Sequence, residues 1–404
     1  MHALKRRIFG GKRSGRERGQ ALILLVLAMT VIFVVGAIAV DVGLWLSEKR
    51  GAQTDADFPA LAGAWELLPQ NGDAATAEAA AYDWADDNDE TANLAVDNVD
   101  VDDSCFNQGP DDAVTVDVTH NSQTLFTTIF GLVDDPNIRA HAKACAGAAT
   151  GLGGILPFQI EDDPGPCFDA SEQPIFTTFC PIEFGAQGGN PRGIIDLEAS
   201  GDYCSEAGGA GNIENMIEFG ATGNCFINTS GVCNPLKNGK WYDCVAVQTG
   251  NPKKVMDGVF KRVSKDGDCD AEYGDGDGLD EFDEVVELQS GSGPTGTYIG
   301  LDCDPNTDGK QISPRLVTIV VLEEPPPPGP DGHPIVAFAG FYLAGCTPEG
   351  VPVTDQSQVD TECTTGPPGH SVVWGQFVTL VVTNQGGVGP PNSQTTIFGI
   401  TLVE

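Results

Sequence analysis

From Ala21 to Val40 the chain reads ALILLVLAMTVIFVVGAIAV, twenty residues without a charge. A helix rising 1.5 Å per residue carries such a run across about 30 Å, the hydrocarbon thickness of a bilayer. Seven bases precede it: Lys5, Arg6, Arg7, Lys12, Arg13, Arg16 and Arg18. Residues 51–404 hold 12 Lys/Arg against 55 Asp/Glu. Positive charge is retained on the cytoplasmic side of a span, so residues 1–20 read as a basic cytoplasmic head and the acidic body as exocytoplasmic. The competing reading is a cleaved signal peptide, whose apolar core is about 7–15 residues and ends at a small-residue site. This run is longer and continues through Asp41 into GLWLSEKR, so a retained transmembrane helix over 21–46 is expected, with Trp45 at the outer interface.

The charge balance excludes a general nucleic-acid partner. The formal net is −37, and phosphate binding needs a basic face. The lipid bilayer is the first partner the sequence implies. All twelve cysteines lie between Cys105 and Cys363, outside the apolar run, an even number that in an exported domain reads as up to six disulfides. No CxxC spacing suggests a metal instead. Loop closure favours the local pairs Cys167–Cys180, Cys269–Cys303 and Cys346–Cys363. Cys105 and Cys145 would staple the first region. Cys204, Cys225, Cys233 and Cys244 pair among themselves in one of three ways, which sequence leaves open.

The expected fold class is α+β, in three parts. Over 47–150 the apolar helix runs on through Gln53 to Leu68, with Pro59 arguing for a kink or a break. A short Ala-rich helix covers Ala74 to Asp86. AVTVDVTH (113–120) and NIRAHAKAC (137–145) alternate at period two, as half-buried strands do, and Thr124 to Phe130 resembles a short amphipathic turn of helix. A long N-terminal helix on a small antiparallel sheet is the plan of pilin-like subunits. Residues 151–404 read as a β-rich, loop-rich, disulfide-stapled exocytoplasmic region. Its one well-patterned helix is Pro252 to Val263, with Val255, Met256, Val259, Phe260 and Val263 on a face best explained by core packing. Strands are expected at Ile335–Leu343, Val372–Thr383 and Thr395–Val403. SPRLVTIVVL and IVAFAGFYL flank a proline loop at 325–330 and would pair across it as a hairpin, which would make one domain of the whole stretch.

The stretch Arg18 to Leu61 resembles the N-terminal segment of the TadE/TadG-like Flp (Tad) pilus-assembly family. Arg18, Gly19, Gln20, Asp41, Val42, Gly43, Ala52, Gln53, Ala56, Asp57, Ala60, Leu61 and Ala62 carry the likeness. Phe58-Pro59 departs from it, where small residues are usual. Thr115–His120, Phe126–Gly131 and Ile138–Ala146 resemble the strand–helix–strand that follows, and 248–263 and 313–343 give weaker echoes. The resemblance implies a role in assembling or anchoring Flp pili or in minor pilus structure. The implied partners are pilus machinery, pilin subunits or a second copy of the chain. True pilins of that system carry Glu five residues after the cleaved Gly; here that position is Leu24, which disfavours processing as a major subunit. The Asp-x-Ser-x-Ser metal motif of some TadG-like proteins is missing: Asp355-Gln-Ser-Gln-Val and Asp169-Ala-Ser-Glu-Gln fail at the last position. The alternative function is a cell-surface adhesin or calcium-binding matrix protein using the same anchor.

Site chemistry concentrates in 266–284, DGDCDAEYGDGDGLDEFDE. Ca²⁺ takes six to eight oxygens, and alternating Asp in a Gly-rich loop can supply several. With Gly278 at position 6 and Glu284 at 12 of an EF-hand pattern, Asp275, Asp277, Leu279 and Glu281 take positions 3, 5, 7 and 9. Tyr273 falls at position 1 and is no carboxylate; Glu272 or Asp270 would substitute, as in looser DxDGDG calcium loops. Asp266, Asp268, Asp270, Asp275, Asp277, Leu279, Glu281 and Glu284 are therefore the candidate Ca²⁺ ligands, against the plainer reading of a solvated acidic loop. No enzyme is expected. Gly-x-Ser-x-Gly and the phosphate-loop pattern are absent. His370-Ser371 reads as a loop, and His120 and His141 as sheet residues. Asn228-Thr-Ser fits a glycosylation sequon, which a bacterial resemblance discounts.

Overall fold

The computed structural model describes residues 17–68, 73–88, 94–107, 111–121, 124, 126, 137–183, 185–187, 190–198, 203–206, 212–234, 240–248, 252–264, 282–290, 297–300, 313–323, 332–361, 363, 371–383, 387–390, 392 and 394–403. Among the described residues the architecture is mixed α+β, with one apolar N-terminal helix, two larger β-sheets and four two-stranded ones.

The first helix, α1 (Glu17–Glu66), is continuous for 50 residues, about 75 Å at 1.5 Å per residue. Its apolar half is exposed: Leu22 is 65 % and Phe33 73 % accessible, as a lipid-facing surface is in the absence of lipid. The expected kink does not end the helix, because Pro59 lies inside it. The lost backbone hydrogen bond is outweighed by packing: Pro59 is buried, and Ala52, Ala56, Ala60, Ala64 and Leu68 form a fully buried stripe at four-residue spacing. Helix α2 (Ala74–Asn88) presents a matching stripe of Ala77, Ala81 and Ala85. Asp73 caps it, accepting the Thr76 N–H at 2.9 Å and the Thr76 hydroxyl at 3.0 Å. Those bonds hold the Asp73 carboxyl below its ordinary value of 3.8.

Small side chains let the layers approach closely. A Cβ on Gly63 would lie 2.9 Å from the Ala77 carbonyl and 2.9 Å from Val114 Cγ1. Beneath α1 lies the first sheet, whose sequential strands are β1 (Leu94–Asp102), β2 (Ala113–Asn121) and β3 (Asn137–Ala149). The β2–β3 register pairs Val114 with Ala144, Val116 with Ala142 and Val118 with Ala140, so the alternating apolar set faces the helix. Strand β1 pairs antiparallel with β2, an element the acid-rich LAVDNVDVD pattern did not announce.

The second sheet draws on β4 (Gln159–Glu161), β5 (Cys180–Glu183), β6 (Ile194–Asp196), β7 (Cys244–Gln248), β8 (Leu316–Leu322), β9 (His333–Pro348) and β10 (Ser371–Val378). Strands β8 and β9 form the hairpin expected across the prolines, from Leu316↔Tyr342 to Leu322↔Ile335. The prolines of 325–328 themselves lie outside the described residues. The sheet order is β4-β8-β9-β7-β6, and the Phe158↔Ile194 bridge joins its two end strands into a ring. The ring encloses the larger core. Phe168 and Phe341 meet Phe377 edge-on at 5.2 and 5.7 Å.

Helices α3 (Ile213–Phe219) and α4 (Pro252–Val263) pack on this core. Val255, Met256, Val259 and Val263 are buried as expected, but Phe260 is 40 % exposed, since it lies 140° round the helix from Val255. Arg315 is 1 % exposed, and its guanidinium donates to the Val263 carbonyl and the Tyr342 hydroxyl, both at 3.1 Å. Arg262 donates to the carbonyls of Ile217 (3.0 Å), Glu218 (3.2 Å) and Pro314 (2.6 Å). Burial pushes Arg262 down to about 10, still charged at neutral pH. Both cations sit on the last carbonyls of α3 and α4, where orphan acceptors and the negative end of the dipole favour positive charge.

After Thr379 the chain leaves the second sheet and enters the first. Strands β11 (Leu380–Thr383) and β12 (Ile397–Val403) pair parallel, and β12 pairs antiparallel with β3, Phe398 opposite Ala148 and Leu402 opposite Ala144. The first sheet therefore runs β1-β2-β3-β12-β11.

Candidate functional site

Asp41, Gln53, Asp57 and the small residues Ala52, Ala56 and Ala60 of the family-like stretch line one seam, where α1 leaves its apolar half and meets the first sheet. Asp41 marks the lower end. It is fully buried, and its carboxylate accepts the Phe126 N–H at 3.0 and 3.2 Å. A buried carboxylate is tolerable only with such charge-assisted bonds. Higher on α1, Lys49 donates to the Arg139 carbonyl at the start of β3. Gln53 donates to the His141 carbonyl and to Asp57, both at 2.9 Å. Asp55 lies 2.9 Å from His120 on β2, and Asp117 lies 2.8 Å from His141. The two histidines are thus sheet residues held by carboxylates. Gln53 and Asp57 orient one another, while Ala52, Ala56 and Ala60 supply the contact surface. The arrangement fixes a helix to a sheet.

Among the described residues five disulfides brace the body. Cys105–Cys145, Cys167–Cys180 and Cys346–Cys363 form as expected, and the open choice resolves to Cys204–Cys225 and Cys233–Cys244. Cys269 and Cys303 lie outside the described residues, as do Asp266, Asp268, Asp270, Asp275, Asp277, Leu279 and Glu281. Glu284 falls in a short helix, Phe282–Val285. Among the described residues no cluster of His, Cys, Asp or Glu is arranged to hold a metal. The turn of helix expected at Thr124–Phe130 also lies largely outside the described residues.

Sequence reasoning did not foresee that the Phe126 amide would bind Asp41, nor that Arg315 would be buried. An isolated backbone amide has no sequence signature, and a lone Arg normally reads as surface.

Residues 19–66 match the family model described as putative Flp pilus-assembly TadE/G-like. No curated protein and no solved structure matches the chain. Among the described residues one helix is long and apolar enough to be a candidate membrane span, with none of its apolar window buried.

Proposed function

We propose that this chain is a single-span envelope protein, N-terminus cytoplasmic and body exocytoplasmic, that takes part in Flp/Tad-type pilus assembly, anchoring or minor pilus structure. The observation that carries the reading is that the segment matching the pilus-assembly family is the same segment that leaves the apolar span and docks on the first sheet. A helix continuous through both parts couples membrane position to the exported body. The basic head sets the orientation through the positive-inside rule. The partners on this reading are lipid, pilus machinery or pilin subunits, and the role is non-catalytic.

The test has two arms. Protease added outside intact cells is expected to remove the body and spare the first twenty residues. Deleting the gene is expected to reduce pilus number or surface adhesion. Unchanged pili and adhesion in a deletion strain would defeat the pilus reading, and a body protected from external protease would defeat the orientation.

The acidic segment 266–284 is proposed on its sequence alone to take Ca²⁺ through its alternating carboxylates. Calorimetric titration of the full chain in detergent is expected to show saturable heat and a higher melting temperature. No heat and an unmoved melt would remove the idea.

A further inference from the structure

Where the second sheet closes into a ring, β4 and β6 meet at Phe158↔Ile194 and then part. The Gln159 N–H still reaches the Gly193 carbonyl at 3.3 Å. Gly193 has φ +81°, which turns the chain away from β4. The opening so formed holds a cavity of about 320 Å³. That is the lower end of the roughly 300–1,000 Å³ range of ligand pockets.

Gln159 is the buried polar group of this cavity. The residue is 3 % exposed, and neither its Nε2 nor its Oε1 has a hydrogen-bond partner among the described residues. An amide buried with donor and acceptor both unmet is costly, and native structures retain such groups for a reason. A water takes up about 30 Å³, so one or two bridging waters would leave most of the space unfilled. Pro164, Pro166 and Pro181 give stiff apolar walls. They are braced by Cys167–Cys180, by the Gly165 N–H to the Phe168 carbonyl at 2.8 Å, and by the Thr178 hydroxyl to the Pro166 carbonyl at 2.8 Å. Charge does not select the ligand. Among the described lining residues there is no Lys or Arg, Glu161 is engaged within the chain, and Asp163 is exposed to water.

We propose that this cavity binds one neutral sugar ring, free or as a unit of a glycan, through two neighbouring hydroxyls paired to the Gln159 amide. The amide presents a donor and an acceptor side by side. Each hydroxyl is both donor and acceptor, so a vicinal pair answers both atoms at once. The apolar C–H face of the ring suits the proline walls. A single trans peptide group points its N–H and C=O in opposite directions and meets only one of the two atoms. The carboxamide of a partner's Asn or Gln answers both, but it loses side-chain rotamers on binding that a closed ring does not have.

The probes are the methyl glycosides of glucose, galactose, mannose and N-acetylglucosamine. They are titrated against the full chain in detergent micelles without sugar headgroups and read by saturation-transfer NMR. At least one is expected to bind saturably, with a dissociation constant on the order of 1 mM. Gln159→Leu is expected to weaken that binding about thirtyfold, the worth of two hydrogen bonds. Its melting temperature is expected to be no lower than that of the wild type, because an apolar side chain of similar size replaces two unmet polar atoms. The tetrasaccharide of the sugar that binds separates the two sources. Affinity within about threefold of the monomer assigns a free sugar, and a gain of about tenfold or more assigns a glycan; either upholds the site. No saturable binding of any glycoside up to about 50 mM would overturn the proposal from the wild type alone, should Gln159→Leu fail to fold. Unchanged affinity in a folded Gln159→Leu would also overturn it. A capped Ala-Asn-Ala peptide binding more tightly than every glycoside would overturn it in favour of a partner protein's carboxamide.

Discussion

Gly63→Leu is expected to lift α1 from α2 and the first sheet, lowering stability by about 2 kcal/mol. Two effects oppose each other at this position. Replacing a mid-helix glycine by a good helix former gains about 1 kcal/mol in propensity. Against that, the new Cβ would lie 2.9 Å from a backbone carbonyl and 2.9 Å from Val114 Cγ1, with three further carbons beyond it. Overpacking against backbone costs about 1–3 kcal/mol, or more when the partner cannot turn aside, so the clash wins. Gly51→Ala is the control. Nothing lies within 4 Å of its added Cβ, and the change is expected to stabilise by about 0.5–1 kcal/mol. Thermal unfolding of both variants in detergent, disulfides intact, reads the difference. Equal melting temperatures would mean that the alanine stripes are not in tight contact.

Replacing Cys105 and Cys145 together by Ala is expected to cost about 4 kcal/mol. The bridge closes a 40-residue loop, and the entropy of a loop that size in the unfolded chain accounts for the figure. By the same relation Cys233–Cys244, with a separation of 11, is worth about 3 kcal/mol. The larger bridge ties the turn after β1 to the middle of β3, so its loss frays the strand on which the seam residues Arg139 and His141 sit. Denaturant unfolding of oxidised, reduced and double-Ala chains reads the cost. Identical midpoints for all three would show that the bridge restrains nothing. Disulfides persist in oxidising compartments, which supports the exocytoplasmic body proposed above.

Much of the fold was legible because its signals are local and periodic. The apolar run fixes α1, period-two valines fix β2, and the 3.6-residue pattern fixes α4. The β8–β9 hairpin could be read because two apolar runs flank one proline loop. What escaped was non-local. Nothing in Val372–Thr383 announced that Thr379 divides it between two sheets, and nothing in Ile397–Val403 named β3 as its neighbour. The break expected at Pro59 did not occur; a propensity argument could not see that the residue would be buried. In the seam, the residues were visible as a motif but their partners were not, since a backbone carbonyl such as that of His141 carries no side-chain label.

The placement of β12 beside β3 has a consequence for how the molecule matures. Every residue of the second sheet is threaded between those two neighbours. The first sheet therefore stays short of its fourth and fifth strands until residues 380–403 have been delivered. Until then β3 presents a bare edge, the kind of surface that recruits foreign strands. Contacts this distant along the chain form slowly. On the proposed topology, completion of this sheet waits until the segment through Val403 has crossed, and a chain cut short between β3 and β11 would carry an open, sticky flank.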